Sequence, residues 1–143
     1  MNRLRRTMLY VPGNNPGMIK DAHIYGSDSI MLDLEDSVSL REKDAARFLV
    51  YNALTTIDYE GVETVVRING LDTPFGCEDL QAIVRAKPDI IRLPKTEKSE
   101  DIEKIDEMIS QIESEAGIQK GTVKIMAAIE SALGIINAYS IAK

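Results

Sequence analysis

The chain has 143 residues, 44% of them hydrophobic and 28% charged, and carries a formal net charge of -6. That length suits one domain with a sizeable core, and the acidic balance argues against wholesale binding to nucleic acid or to an anionic membrane. One cysteine, Cys77, excludes an intrachain disulfide, one histidine, His23, leaves no set of zinc ligands, and no apolar run approaches the roughly 20 residues that span a bilayer. A cytoplasmic protein is expected, and any metal should be a hard ion held by oxygen, such as Mg²⁺.

The basic cluster Arg3, Arg5 and Arg6 opens the chain, to be read either as a solvated, orienting N-terminus or as a phosphate-binding patch. Residues 7–11, Thr-Met-Leu-Tyr-Val, form a short apolar strand stopped by Pro12-Gly13. Asn14-Asn15-Pro16 supplies a cap and an early proline for a helix whose inner face is Met18, Ile19 and Ala22, and Gly26 closes it. His23 on this helix reads as a packing residue, because no acid or nucleophile is paired with it locally.

Residues 29–34 make the second strand, which runs into Glu35-Asp36-Ser37-Val38. Three carboxylates in four positions, Asp33, Glu35 and Asp36, repel one another unless a cation or basic side chains sit among them. Asp33 and Glu35 share a face if the strand persists, while Asp36 faces away or caps the next helix. That helix spans about residues 40–54, with Ala45, Ala46, Leu49, Val50 and Ala53 at helical spacing. The third strand, residues 63–69, places Arg67 and Asn69 on one face at its C-terminal end. Arg67 there can hold a carboxylate bidentately, offset charge developing on an oxygen, or form a salt bridge with Asp33 or Glu35.

A loop and a short helix over residues 79–86 lead to the fourth strand, residues 89–93, where charge again surfaces in Arg92 and Lys95. Ser99-Glu100-Asp101-Ile102 caps a long amphipathic helix to about Glu115, with Ile102, Ile105, Ile109 and Ile112 inside and acids on a solvated face. Val123 opens the fifth strand, whose apolar run over residues 125–129 reads as covered on both faces and stops on Glu130. Glu130 is either a carboxylate at a functional strand end or an acid favoured by the dipole of the helix that Ser131 caps.

The order is βα repeated five times, and every strand discharges into a loop bearing Gly, Pro or charge, so a parallel sheet with one functional edge is expected. A doubly wound sheet and the first part of a (β/α)₈ barrel both fit. The short last helix, and a first turn without G-x-G-x-x-G, favour the barrel. A receiver-type phosphoacceptor module fails at three strand ends, which carry Pro-Gly, Arg67 and Glu130 instead of its acids and lysine.

Five segments spread along the chain carry a resemblance: residues 6–14 (Arg-Thr-Met-Leu-Tyr-Val-Pro-Gly-Asn), 33–38 (Asp-Leu-Glu-Asp-Ser-Val), 66–69 (Val-Arg-Ile-Asn), 93–95 (Leu-Pro-Lys) and 128–131 (Ala-Ile-Glu-Ser). Together they resemble the citrate lyase β subunit, within the malyl-CoA lyase and HpcH/HpaI aldolase family. The resemblance implies an α/β fold made of the first five βα units of a (β/α)₈ TIM barrel, with residues 1–143 a single domain forming its N-terminal part. It implies Mg²⁺ and cleavage of a citryl thioester to oxaloacetate and an acetyl thioester, within citrate fermentation. The implied partners are an acyl carrier subunit and an α subunit that exchanges the acyl group, in a homo-oligomeric enzyme. By the same resemblance Arg67 binds substrate, and Glu130 is a metal ligand that also contacts substrate. Asp33, Glu35 and Asp36 orient substrate near the metal, and Lys95 lines the site. The family's second metal ligand, an aspartate, is expected beyond residue 143. Two alternatives stay open: coenzyme A as the thioester carrier with malyl or citryl groups, and a catalytically incomplete fragment acting as a binding or assembly module.

Overall fold

A computed structural model of the chain describes residues 4–143; Arg3, part of the basic cluster, lies outside them. Five strands, β1 (Met8–Pro12), β2 (Ser29–Asp33), β3 (Glu63–Arg67), β4 (Ile90–Leu93) and β5 (Lys124–Ala127), form one sheet in the order β1-β2-β3-β4-β5. Every neighbouring pair is parallel. A doubly wound sheet reverses its strand order at a switch point, whereas a barrel adds each strand beside the last. The unbroken order therefore decides for the barrel, and the fold is that of five successive βα units of one.

Five helices connect and follow the strands: α1 (Pro16–Lys20), α2 (Lys43–Thr56), α3 (Gly76–Arg85), α4 (Ser99–Glu115) and α5 (Ala132–Ala142). Asn15 caps α1 by accepting a hydrogen bond from the Met18 amide, as its sequence suggests. The helix is short, continues as a 3₁₀ turn over Ala22–Tyr25, and ends at Gly26 in the left-handed conformation, φ 70°. Ile19 and Ala22 are buried but Met18 is exposed, because the switch to 3₁₀ geometry changes which side chains line up. His23 does pack, edge-on against the Tyr59 ring with centroids 5.9 Å apart. The Tyr59 hydroxyl donates to the Ile19 carbonyl, and burial pushes its pKa up to about 12.

Strand alternation sorts the core in two. Val11, Ile30, Leu32, Val66, Ile91 and Leu93 face the helices and meet Ile19, Val50, Ile83 and Ile105 there. Met31, Val65 and Ile90 form a smaller apolar layer on the opposite face, the side that becomes a barrel's interior. In α2 the buried stripe is Lys43, Ala46, Val50 and Ala53; Ala45 is exposed, so the predicted stripe was placed one residue too wide. In α4 Ile105, Ile109 and Ile112 are buried as expected. Asp101, rather than Ser99, closes its N-terminus by accepting the Glu97 and Lys98 amides. One acid of α4 is not on the solvated face: Glu113 is fully buried, accepting the Gly121 and Val123 amides and so tying the helix to the loop before β5.

The sheet's two outer strands are β1 and β5. The predicted burial of β5 on both faces does not hold, since Ile125 and Met126 are only half-buried and Lys124 is exposed. Beside it α5 leaves Leu133, Ile135, Ile136 and Tyr139 exposed, and at the other edge Ile24 and Tyr25 are exposed. Apolar side chains at both margins are what an arc of an unclosed barrel leaves uncovered. Among the described residues no helix is long and apolar enough to cross a membrane.

At the N-terminal ends of the strands, ion pairs staple the sheet. Arg5 makes a two-point contact with Glu63 at 2.6 Å, and Arg6 pairs with Asp28 at 2.7 Å. Both side chains stay solvated while they fix the N-terminus to the strand ends, in keeping with the orienting reading of the cluster. At the C-terminal ends, Gly13 lets the β1 loop lie against β2, its amide donating to the Asp33 carbonyl at 2.8 Å. A Cβ at Gly13 would stand 2.6 Å from that carbonyl oxygen and 3.1 Å from a Val50 methyl. Gly13→Ala is expected to lower stability by about 1–3 kcal/mol through this overpacking, read as a reduced urea midpoint at unchanged m-value; an unaltered midpoint would show that the loop can move away at no cost.

Candidate active site

β2 and β3 end side by side, with Asp33 and Arg67 as register partners on the inner face of the sheet. The Arg67 Nε and Nη2 atoms donate to the two Asp33 oxygens at 2.7 and 2.8 Å, the bidentate geometry in which guanidinium and carboxylate match best. Asp33 also accepts the Glu35 and Ser37 amides at 2.9 and 3.1 Å. These bonds turn the chain sharply at the strand end and bring Glu35 back toward Arg67, whose Nη1 lies 2.9 Å from Glu35 Oε2. Asp36 is exposed and stands 3.6 Å from the same nitrogen. It caps no helix, since Ser39 precedes the next turn. Tyr10 on β1 places its ring 5.5 Å from the Arg67 guanidinium carbon, a cation-π contact that fixes the plane of the group. The salt-bridge reading of Arg67 is thus what the structure shows. A guanidinium has five N–H donors; Nε and Nη2 each spend one on Asp33, and Nη1 stands at ion-pair distance from Glu35 Oε2 without a hydrogen bond to it.

From Glu35 the network continues to the next strand ends. Lys95 Nζ lies 3.1 Å from Glu35 Oε1, and the Lys95 amide donates to Glu130 Oε1 at 2.8 Å. Lys95 adopts a left-handed φ of 49°, an unfavourable conformation for a non-glycine residue that is held here by contacts at both ends. Ser131 caps α5 by accepting the Gly134 amide and donates to Glu97, so α5 is pinned to the loop after β4. Glu130 precedes that cap rather than lying in the first turn, and it is exposed, with its second oxygen in no hydrogen bond among the described residues. All six side chains singled out in the sequence therefore gather at the same end of the sheet, linked in the order Arg67, Glu35, Lys95, Glu130, with Asp33 behind and Asp36 beside Arg67. Asn69 does not join them. β3 stops at Arg67, and the Asn69 amide group donates to Leu34 and to Asp79 of α3.

Buried charges support this rim. Lys43, the first residue of α2, donates from Nζ to the Leu34 and Glu35 carbonyls at 2.7 and 2.6 Å. Burial pulls its pKa down, against the opposing pull of Asp33, Asp79, Glu35 and Asp36. Asp79 is fully buried and joins Arg47 of α2 to the Asn69 backbone. Sequence reasoning missed both residues. The signal for Lys43 was its place one turn before Ala46 on the stripe that continues through Val50 and Ala53. Tyr10 had no such signal, because its nearness to Arg67 follows from strand pairing. A groove of about 1210 Å³ opens beside the rim, bordered by Glu35, Asp36 and Lys95 and by Leu71, Phe75 and Leu133.

Five parallel βα units in unbroken order, with charged side chains from four strand ends and the loops after them meeting at the C-terminal rim, define a barrel-type α/β protein with its polar site at the mouth. The chain belongs to the HpcH/HpaI aldolase/citrate lyase family, whose match covers residues 6–143. It is 60% identical over 140 residues to the citrate lyase subunit beta of Leuconostoc mesenteroides subsp. cremoris, covering 98% of this chain and 46% of that protein. To the corresponding subunit of Haemophilus influenzae it is 51% identical, with 98% and 48% covered. The citrate lyase beta subunit of Mycobacterium tuberculosis complexed with oxaloacetate and magnesium superposes with a TM-score of 0.71 at 29% identity, over 94% of this chain and 52% of that one. The chain spans about half the length of the curated relatives it matches.

Burial by itself would raise the Asp33 pKa, but the hydrogen bonds from Arg67, Ser37 and Glu35 outweigh it and hold the group at about 2 instead of 3.8. A carboxylate depressed in the folded state adds stability that is fully present above its unfolded pKa and is lost as pH falls through the folded one. The pair should therefore contribute about 2 kcal/mol at neutral pH, lost between about pH 4 and pH 2. Urea unfolding of Asp33→Asn across that window is expected to have a flatter pH dependence than the wild type; parallel curves would mean that Asp33 titrates normally.

Proposed function

We propose that this chain forms the N-terminal half of a magnesium-dependent carbon-carbon lyase that cleaves a citryl thioester to oxaloacetate and an acetyl thioester. The observation that carries the reading is the continuous polar rim from Arg67 through Glu35 and Lys95 to Glu130, in a chain whose family includes citrate lyase. The thioester is borne by an acyl carrier subunit, an α subunit exchanges the acyl group, and the assembled enzyme is a cytoplasmic homo-oligomer of such complexes.

The fit to magnesium can be tested on the residues. Among the described residues no group of three or more His, Cys, Asp or Glu could enclose an ion. Mg²⁺, however, keeps several waters and is commonly held by one or two carboxylates together with the substrate. Glu130, exposed at the rim with one oxygen unbonded, suits the role of one such ligand, and an aspartate following a sixth strand would supply the other. Bound there, the ion would act as a Lewis acid on the hydroxyl and carboxylate of the departing keto acid.

The remaining work falls to the chain's own side chains. Arg67, oriented by Asp33 and Tyr10, turns its remaining N–H groups to the substrate carboxylate or to the negative charge that develops on the thioester oxygen. Glu35 keeps Arg67 and Lys95 at fixed separation, and Asp36, exposed beside them, repels anions that approach from the wrong side. Lys95 holds the backbone turn that presents Glu130. No residue of the chain is assigned as the base that accepts the tertiary hydroxyl proton.

In the assembled lyase, Glu130→Gln is expected to abolish magnesium-dependent release of oxaloacetate from the citryl thioester. Arg67→Lys, which keeps the charge but loses the fork, should slow it by on the order of a hundredfold, roughly 3 kcal/mol. Wild-type turnover in Glu130→Gln would remove the metal role, and equal cleavage of citryl and malyl groups on coenzyme A would shift the substrate to a coenzyme A thioester.

A further inference from the structure

The rim contains a second guanidinium that the site described above does not use. Arg92 on β4 is the register partner of Arg67. Its neighbours Ile91 and Leu93 belong to the helix-side core and Ile90 to the inner layer, so alternation turns Arg92 to the inner face, in the same row as Asp33 and Arg67. There the two arginines differ sharply. Arg67 is surrounded by three carboxylates, whereas Arg92 has no ion pair among the described residues. Its one polar contact is weak, from Nη1 to the Met126 sulfur at 3.7 Å, and its Nε is buried without any hydrogen-bond partner.

A half-buried guanidinium beside another one, with a buried donor unmet, is unfavourable on three counts: partial desolvation, like-charge proximity and an unsatisfied N–H. An anion on the inner face would relieve all three. Arg5, Arg6, Arg47, Arg67 and Arg85 all have carboxylate partners, so the bare state of Arg92 is not how this sheet treats its arginines. Arg41, the other arginine without an ion pair among the described residues, is exposed and away from the strands.

We infer that Arg92 receives the second carboxylate of the departing keto acid, and so selects a citryl over a malyl group. The inference rests on the lyase reading above and deepens it. The citryl group leaves as a keto acid with two carboxylates, the malyl group as one with a single carboxylate. With one carboxylate near Glu130 and Arg67, the second extends along the inner face, where Arg92 offers the only guanidinium without a carboxylate partner on the described strands. Met126, unbranched and polarizable, lies against Arg92 and moves aside without breaking a strong bond.

Two probes differ by this one carboxylate, oxaloacetate and pyruvate, and calorimetric titration of the assembled lyase in magnesium buffer compares them. The wild type is expected to bind oxaloacetate at least about tenfold more tightly than pyruvate. Arg92→Gln should erase that preference while leaving pyruvate binding within about twofold, and Arg92→Lys should keep part of it. In the wild type itself, the arginine side-chain ¹⁵Nε resonance of Arg92 should shift with oxaloacetate and stay still with pyruvate, a readout that needs no variant to fold. A preference that survives Arg92→Gln, or a resonance that ignores oxaloacetate, overturns the assignment alone. Failure of the wild type to bind either acid overturns it together with the lyase reading.

Discussion

The two-point contact between Asp33 and Arg67 is the interaction on which the rest of the site depends. It is built on the β2-β3 ladder, where the two residues are directly paired, so its geometry is set by backbone hydrogen bonds before any side chain chooses a rotamer. A buried ion pair gains little net stability over an apolar one, because both charges give up water. What it does supply is direction. With Nε and Nη2 committed to Asp33 and Tyr10 against its ring plane, Arg67 has a single orientation, and Glu35 and Lys95 are placed by reference to it.

The carboxylates around Arg67 also set the charge of the rim. Asp33, Glu35 and Asp36 together outweigh Arg67, and Lys95 restores part of the balance. In the lyase proposed above, an unshielded guanidinium at this position would hold an anionic substrate tightly before and after reaction alike, which gains nothing in rate. Partial neutralisation leaves Arg67 as a donor of directed hydrogen bonds with little excess charge. Arg92, one strand away, has no carboxylate partner among the described residues. The inner face is thus divided between a guanidinium screened by carboxylates and a bare one beside it.

Such a rim needs support from below, because loops at strand ends have unpaired backbone groups that move unless bonded. Lys43 meets the Leu34 and Glu35 carbonyls, and Asp79 meets the Asn69 amide, so two buried charges serve as fixed ends for the loops after β2 and β3. Each charge is tolerated in the interior because its hydrogen-bonding capacity is largely spent. Gly13 contributes by what it lacks, allowing the β1 loop to rest against Asp33 where a methyl group would push it off.

The linear sequence determined the element order and the six charged residues of the rim, since hydrophobic periodicity and capping residues are local signals and a charge closing an apolar strand is visible without a partner; it ran β3 on to Asn69, where the ladder stops at Arg67. It overreached where burial depends on neighbours. β5 reads as doubly covered because its residues are apolar, yet an edge strand is covered only by what packs on it. Met18 and Ala45 have the spacing of core residues, yet both are exposed, since spacing does not say which flank of a stripe the neighbours cover. Tertiary structure alone decided that strands add in sequence around an arc, that Tyr10 stacks on Arg67, and that of two adjacent arginines one is ringed by carboxylates and the other bare. These depend on pairing between residues about 25 to 57 positions apart, and no pattern confined to neighbouring residues encodes which strands will meet.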